Sequence, residues 1–127
     1  TDGGSNYNLT ITSTYFRSTH DESGSNGAVA YQASQDQGNG TSFQNISQSI
    51  GNDNDQSGAG ILHLFDPSST TFVKHFLART NNAHQSDKTR DVFTGGYFNT
   101  TSAINAIQFK MSAGNIDSGV IKMYGVT

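Results

Sequence analysis

Cysteine is absent from the chain, which excludes a disulfide framework, thiolate metal sites and cysteine nucleophiles. Tryptophan is absent too, and proline occurs once, so no proline-rich linker divides the 127 residues into parts. Charge is scarce: seven Lys and Arg stand against ten Asp and Glu, for a net charge of −3. The cations are scattered rather than clustered, which argues against nucleic-acid binding. No apolar run approaches the roughly 20 residues of a membrane-spanning helix, so no membrane partner is expected. Hydrophobic residues make up only 32% of the chain, which excludes a large core.

What fills the chain instead is amide and hydroxyl chemistry. Ser, Thr, Asn and Gln account for roughly two-fifths of it, well above ordinary usage. Five Tyr, eight Phe and several dense apolar runs separate it from the composition of disordered chains. Short strands with one wet face and long polar loops suit this mixture.

Asp2-Gly3-Gly4 opens the chain as a turn. Residues 8–16, "NLTITSTYF", alternate Leu9 and Ile11 with Thr10 and Thr12, as a half-buried strand does. Further strands are predicted in 28–33, 42–50, 60–66, 72–80, 90–99, 103–111 and 120–126. Polar stretches 17–27, 34–41, 51–60, 81–89 and 112–119 read as loops. Residues 60–79 form a hairpin around "PSSTT", stopped at Asp66-Pro67 because proline offers no ladder donor. Gly95-Gly96 marks a bulge or a close backbone approach. About eight short strands and no convincing helix make one all-β domain over residues 1–127. The expected architecture is an antiparallel β-sandwich or jelly roll.

In "SAGNIDSG", Gly114-Asn115 and Ser118-Gly119 supply two tight bends, with Ile116 between them. Strands joined this way are expected to bring Phe109 and Met111 against Ile121 and Met123 as a C-terminal clasp. Each such side chain is worth roughly 1.5–3 kcal/mol when buried. Phe65, Phe72, Phe76, Ile107, Phe109 and Tyr124 are the expected core, with Met111, Ile116, Ile121 and Met123 in the clasp and Gly114 and Gly119 at its turns.

The stretches "ILHLFDPSSTTFVKHF" (Ile61 to Phe76) and "INAIQFKMSAGNIDSGVIKMYGV" (Ile104 to Val126) carry a resemblance. Within the second, Asn105, Ala106, Ile107, Phe109, Gly114, Asn115, Ile116, Ser118, Gly119, Tyr124 and Gly125 fit a recurrent signature. It resembles that of small jelly-roll-like virion proteins of tailed phages infecting marine and freshwater bacteria, and "TDGGSNY" is similar to a turn after their first strands. The resemblance covers about half of the chain closely; residues 17–55 depart from it. It implies a non-enzymatic structural role in the virion, as capsid decoration or as a tail or fibre component. Other virion proteins would be the partners, and a homo-oligomer, guessed as a trimer, the assembly. It also implies one or two further N-terminal strands in relatives that residues 1–127 lack.

Catalytic and ligand chemistry finds little support. His20, His63, His75 and His84 are present, and His63 and His75 could face each other on the hairpin, but no third metal ligand follows at a recognisable spacing. Asp53, Asn54, Asp55 and Ser57 resemble the start of a calcium loop without its closing Glu. Asp21 and Glu22 are loop neighbours, whereas a glycosidase needs carboxylates set across a cleft. No nucleophile elbow or phosphate-cradling glycine motif occurs. The sequons at Asn8, Asn39, Asn45 and Asn99 are expected by chance in such a composition. No catalytic residue, cofactor or metal is therefore expected. The alternative reading is a carbohydrate- or receptor-binding module at a fibre tip, with Tyr15, Phe16 and Tyr31 as a stacking platform for a host glycan.

Overall fold

The computed structural model describes residues 1–126. Five strands, β1 (Ile11–Asp21), β2 (Gly27–Tyr31), β3 (Gly58–Leu64), β4 (Lys74–His84) and β5 (Lys88–Phe98), form one sheet. Its order is β2-β1-β5-β4-β3, and every neighbouring pair is antiparallel. The only helical element among the described residues is a 3₁₀ turn at Ala33–Gln35. The chain is thus all-β, with five strands rather than about eight.

The strands are fewer because three of them are long, at 11 residues each. β1 runs on through Arg17–Asp21, and β4 and β5 extend to a turn at 85–87, over stretches whose polarity reads as loop. Their inward positions are polar there: Asn82, His84 and Arg90 are buried, so the strand period carries no apolar contrast. Residues 42–50 are a crossing segment, and 103–111 and 120–126 stand outside the sheet without strand pairing.

β2 and β3 lie at opposite edges, so the connection 32–57 must cross the whole sheet. It crosses one face and satisfies its polar groups there. Ser13 Oγ donates to Gln44 Oε1 at 2.6 Å, Thr80 Oγ1 to the Ile46 carbonyl at 2.6 Å, and Ser47 Oγ to Asn82 Oδ1 at 3.3 Å. Beneath it lie Ile11, Tyr15, Phe76, Ala78 and Val92, the buried apolar core. Residues 104–109 and Tyr7 and Leu9 lean over the other end of this face and leave an apolar cleft of about 110 Å³. None of the side chains lining it is Asp, Glu, His, Lys or Arg.

Gly95 and Gly96 make no bulge, because register runs unbroken through both. Gly96 is a close approach: a Cβ there would stand 2.4 Å from the Thr12 carbonyl oxygen. The hairpin expected at 60–79 forms between β3 and β4, with a connection at 65–73 longer than "PSSTT" alone. Buried Lys74 holds its far end by donating from Nζ to the carbonyls of Phe72 and Thr100, at 3.0 and 3.2 Å.

Candidate functional site

The other face of the sheet has no covering layer among the described residues, and it is aromatic. Alternation places Tyr31, Phe16, Phe93, Arg79 and Ile61 in one row across all five strands. The Phe16 and Phe93 rings stack with centroids 4.8 Å apart and planes within 5°. The Arg79 guanidinium lies 4.8 Å from the Phe93 centroid, arriving from the opposite neighbouring strand. That spacing matches the distance between strands, so the two rings stand on edge on the sheet. Phe93 has both faces occupied, by Phe16 on one side and Arg79 on the other.

Arg79 is held by Asp91, two residues before Phe93 on the same strand and face. Its Nη2 donates to Asp91 Oδ2 at 2.8 Å, and its Nε reaches both carboxylate oxygens at 3.3 Å. Hydrogen bonding and charge from Asp91 push the guanidinium pKa further up. At the edge, the Tyr31 hydroxyl donates to the Asp36 carboxylate.

The next row reads Thr14, Gly95, Leu77, His63, and the one after it Thr12, Tyr97, His75. Phe65 joins the last row through its N–H to the His75 carbonyl at 2.9 Å. Without a side chain, Gly95 leaves a shallow groove beside the Tyr97 ridge, walled by Leu77, Phe65 and His75. Phe16, Val29, Tyr31, Ile61, Phe65 and Leu77 are all exposed. A contiguous apolar face of this kind is the usual mark of an interaction surface.

The expected residues divide. Phe76 is buried at 3% exposure, and Ile107 and Phe109 are half-buried at the cleft. Phe65 and Phe72 are exposed rather than core, because one faces outward on the open side and the other sits in the 65–73 connection. The clasp does not form: Met111, Ile116, Ile121, Met123 and Tyr124 are exposed, and no strand pairs 109–111 with 121–123. Gly114, at positive φ of 71°, sits in a bend over residues 112–114, and Gly119, at φ 156°, follows a bend at Ser118. These bends lead the terminal run away from the sheet instead of folding it back.

The supposed sugar platform also splits, since Tyr15 is fully buried on the covered face while Phe16 and Tyr31 are outside. His63 and His75 share the open face but contact Phe65 and Tyr97 edge-on rather than each other. No group of three or more His, Asp or Glu among the described residues is placed to hold a metal ion. Asp21 closes the β1–β2 turn, accepting from the Ser25 and Asn26 N–H groups, the Asn26 side chain and the Ser23 hydroxyl. Those bonds, Asn26 first, hold its carboxyl well below the usual carboxylate range. The Asp53–Gln56 loop closes on itself through the Gln56 side chain and backbone.

Under the crossing segment sits a second polar cluster. Gln48 Oε1 accepts from Arg17 Nη1 at 2.8 Å and Arg90 Nη1 at 3.2 Å. His84 Nδ1 accepts the Ser86 N–H at 3.0 Å. Burial, then the nearby Arg90, Lys88 and Arg17, hold the His84 pKa below its ordinary value. These contacts pin residues 44–50 to the sheet.

Phe93, Leu77 and Ile61 were legible in one signal, adjacent apolar doublets (Tyr15-Phe16, Ile61-Leu62, Phe76-Leu77 and Val92-Phe93), whereas nothing local marked Arg79. With period-two alternation, a doublet puts apolar surface on both faces of a strand. No family model, curated protein or solved structure matches this chain.

Proposed function

We propose that this chain is a non-enzymatic virion structural protein of a tailed phage, in capsid decoration or in the tail or fibre, working through protein–protein contacts. One observation carries the reading: a five-stranded sheet that presents an aromatic row on its uncovered face. On this reading the five-stranded sheet is one layer of a sandwich or jelly roll. Contacts with sister copies and neighbouring virion proteins cover what one copy leaves bare, in a homo-oligomer for which a closed trimer is the natural arrangement.

The glycan alternative is weaker on geometry. Sugars stack on the flat face of an aromatic ring, and here Phe93 has both faces taken by Phe16 and Arg79. Ring edges and a shallow groove suit a complementary apolar protein surface. Mass spectrometry and antibody labelling of purified particles of the encoding phage test the reading. Stoichiometric presence on the particle supports it; a protein found only in the infected cell overturns it. A glycan array run beside it supports the alternative if Phe16→Ala abolishes a saturable signal.

A further inference from the structure

From Ile107 to Val126 the backbone makes no hydrogen bond to any other described residue. The segment leaves the body just after Lys110, whose Nζ sits 4.2 Å from the centroid of the Phe43 ring. Beyond the polar stretch 112–119 the chain is largely apolar and bare: Val120 is 80% exposed, Met123 81% and Tyr124 77%. Residues 120–126 carry Val120, Tyr124 and Val126 on one parity, interrupted there by Lys122, and Ile121 and Met123 on the other. A strand that is apolar on both parities needs cover on both faces.

One edge of the sheet offers that. β3 is bonded only to β4, so its outer edge is unpaired. Its 7 residues match the run 120–126 in length and contain neither proline nor lysine, the usual guards of a free edge. Leu62 and Leu64 line the cleft on one face, and Ile61 continues the aromatic row on the other. β2 is shorter, at 5 residues, and offers only Ala28 and Ala30 to the cleft side.

The surface area indicates how much contact is missing. The chain exposes 8501 Å², whereas a compact monomer of 13.6 kDa exposes ~6,600 Å². The excess, ~1,900 Å² per copy, is more than twice the ~800 Å² that each partner gives to a standard interface. It falls in the range of obligate assemblies of identical chains.

We infer that the arm 111–126 docks on a second copy of this chain, with residues 120–126 adding as a strand to the free edge of its β3. Ile121 and Met123 take one face of the extended sheet, and Val120, Tyr124 and Val126 the other. Donor arm and acceptor edge belong to the same chain, so each copy gives and receives, and the contact closes as a swapped pair or a ring. The inference is independent of where the protein works and stands or falls separately from the virion reading.

The natural lack of cysteine makes the test clean. Sedimentation velocity of the whole chain is expected to give twice 13.6 kDa or a higher multiple, and Met123→Asp a single copy with unchanged far-UV circular dichroism. Met123→Cys mixed with His63→Cys under copper–phenanthroline oxidation is expected to give the crosslinked pair several-fold more than Met123→Cys mixed with Val29→Cys, which sits on the opposite edge. A chain carrying both Met123→Cys and His63→Cys is expected to link between copies. An unmodified chain that sediments as one copy, a double-cysteine chain that closes within itself, or equal crosslinking to the β2 edge overturns the inference. Should Met123→Asp fail to fold, the cysteine pairs decide alone.

Discussion

Gly95 and Gly96 are neighbours in sequence and opposites in consequence. A Cβ on Gly96 would meet the Thr12 carbonyl oxygen at 2.4 Å and the Ser13 Cα and Cβ at 2.9 Å. An ordinary carbon–oxygen contact needs about 3.3 Å, so β1 and β5 must separate by roughly 0.9 Å. Ladder bonds near 2.9 Å stretched by that amount are no longer hydrogen bonds. Two of them lost at roughly 0.5–1.5 kcal/mol each, with overpacking strain of about 1–3 kcal/mol, put Gly96→Ala at ~2–6 kcal/mol destabilised. A Cβ on Gly95 meets only Leu77 Cδ2, at 3.1 Å, the far end of a side chain that is 55% exposed and free to turn. There the reduced entropy of the unfolded chain, worth about 0.4–1 kcal/mol, offsets the contact and leaves Gly95→Ala neutral or slightly stabilised. Urea unfolding followed by far-UV circular dichroism reads the difference. With a slope of ~1–3 kcal/mol per molar, the two midpoints should stand at least ~0.7 M apart. Equal midpoints, or Gly95→Ala as the weaker protein, would refute the close strand approach at Gly96 and the register built on it.

Three further outcomes follow from buried groups. The Tyr15 hydroxyl is buried without a protein partner, and burial raises its pKa, so Tyr15→Phe should stabilise the fold by about 1 kcal/mol; a loss of that size in thermal unfolding would show that the hydroxyl is bonded. His84 binds fewer protons folded than unfolded, since its folded pKa is lowered; stability should therefore rise with pH up to its ordinary value near 6.5. Urea midpoints at pH 5.5 and 7.5 check this, and His84→Asn should flatten the slope. Lys74→Met strands the carbonyls of Phe72 and Thr100 and should cost roughly 2–4 kcal/mol; a cost under about 0.5 kcal/mol would mean that water satisfies both.

The β3–β4 hairpin and β5 could be read from residues alone because their apolar contrast is local: Leu62 and Leu64, Phe76 and Ala78, Val92 and Phe93. Arg17–Asp21 and Asn81–Arg90 could not, because their inward side chains bond the crossing segment instead of packing on it. A buried Asn82 and a solvated one look alike until the partner at Gln48 is known, and that partner is remote in sequence. The aromatic face was half visible, since doublets announce that both faces are apolar but not which face the chain itself will cover. The terminal run makes the same point more sharply. Ile121 and Met123 declare a strand through their neighbours, which is a local property. Whose edge the strand joins depends on surfaces elsewhere, and a hairpin back onto Phe109 and Met111 is only the nearest candidate. The open β3 edge, apolar on both faces, meets what the run requires, whereas the segment 107–111 makes no ladder of its own to extend.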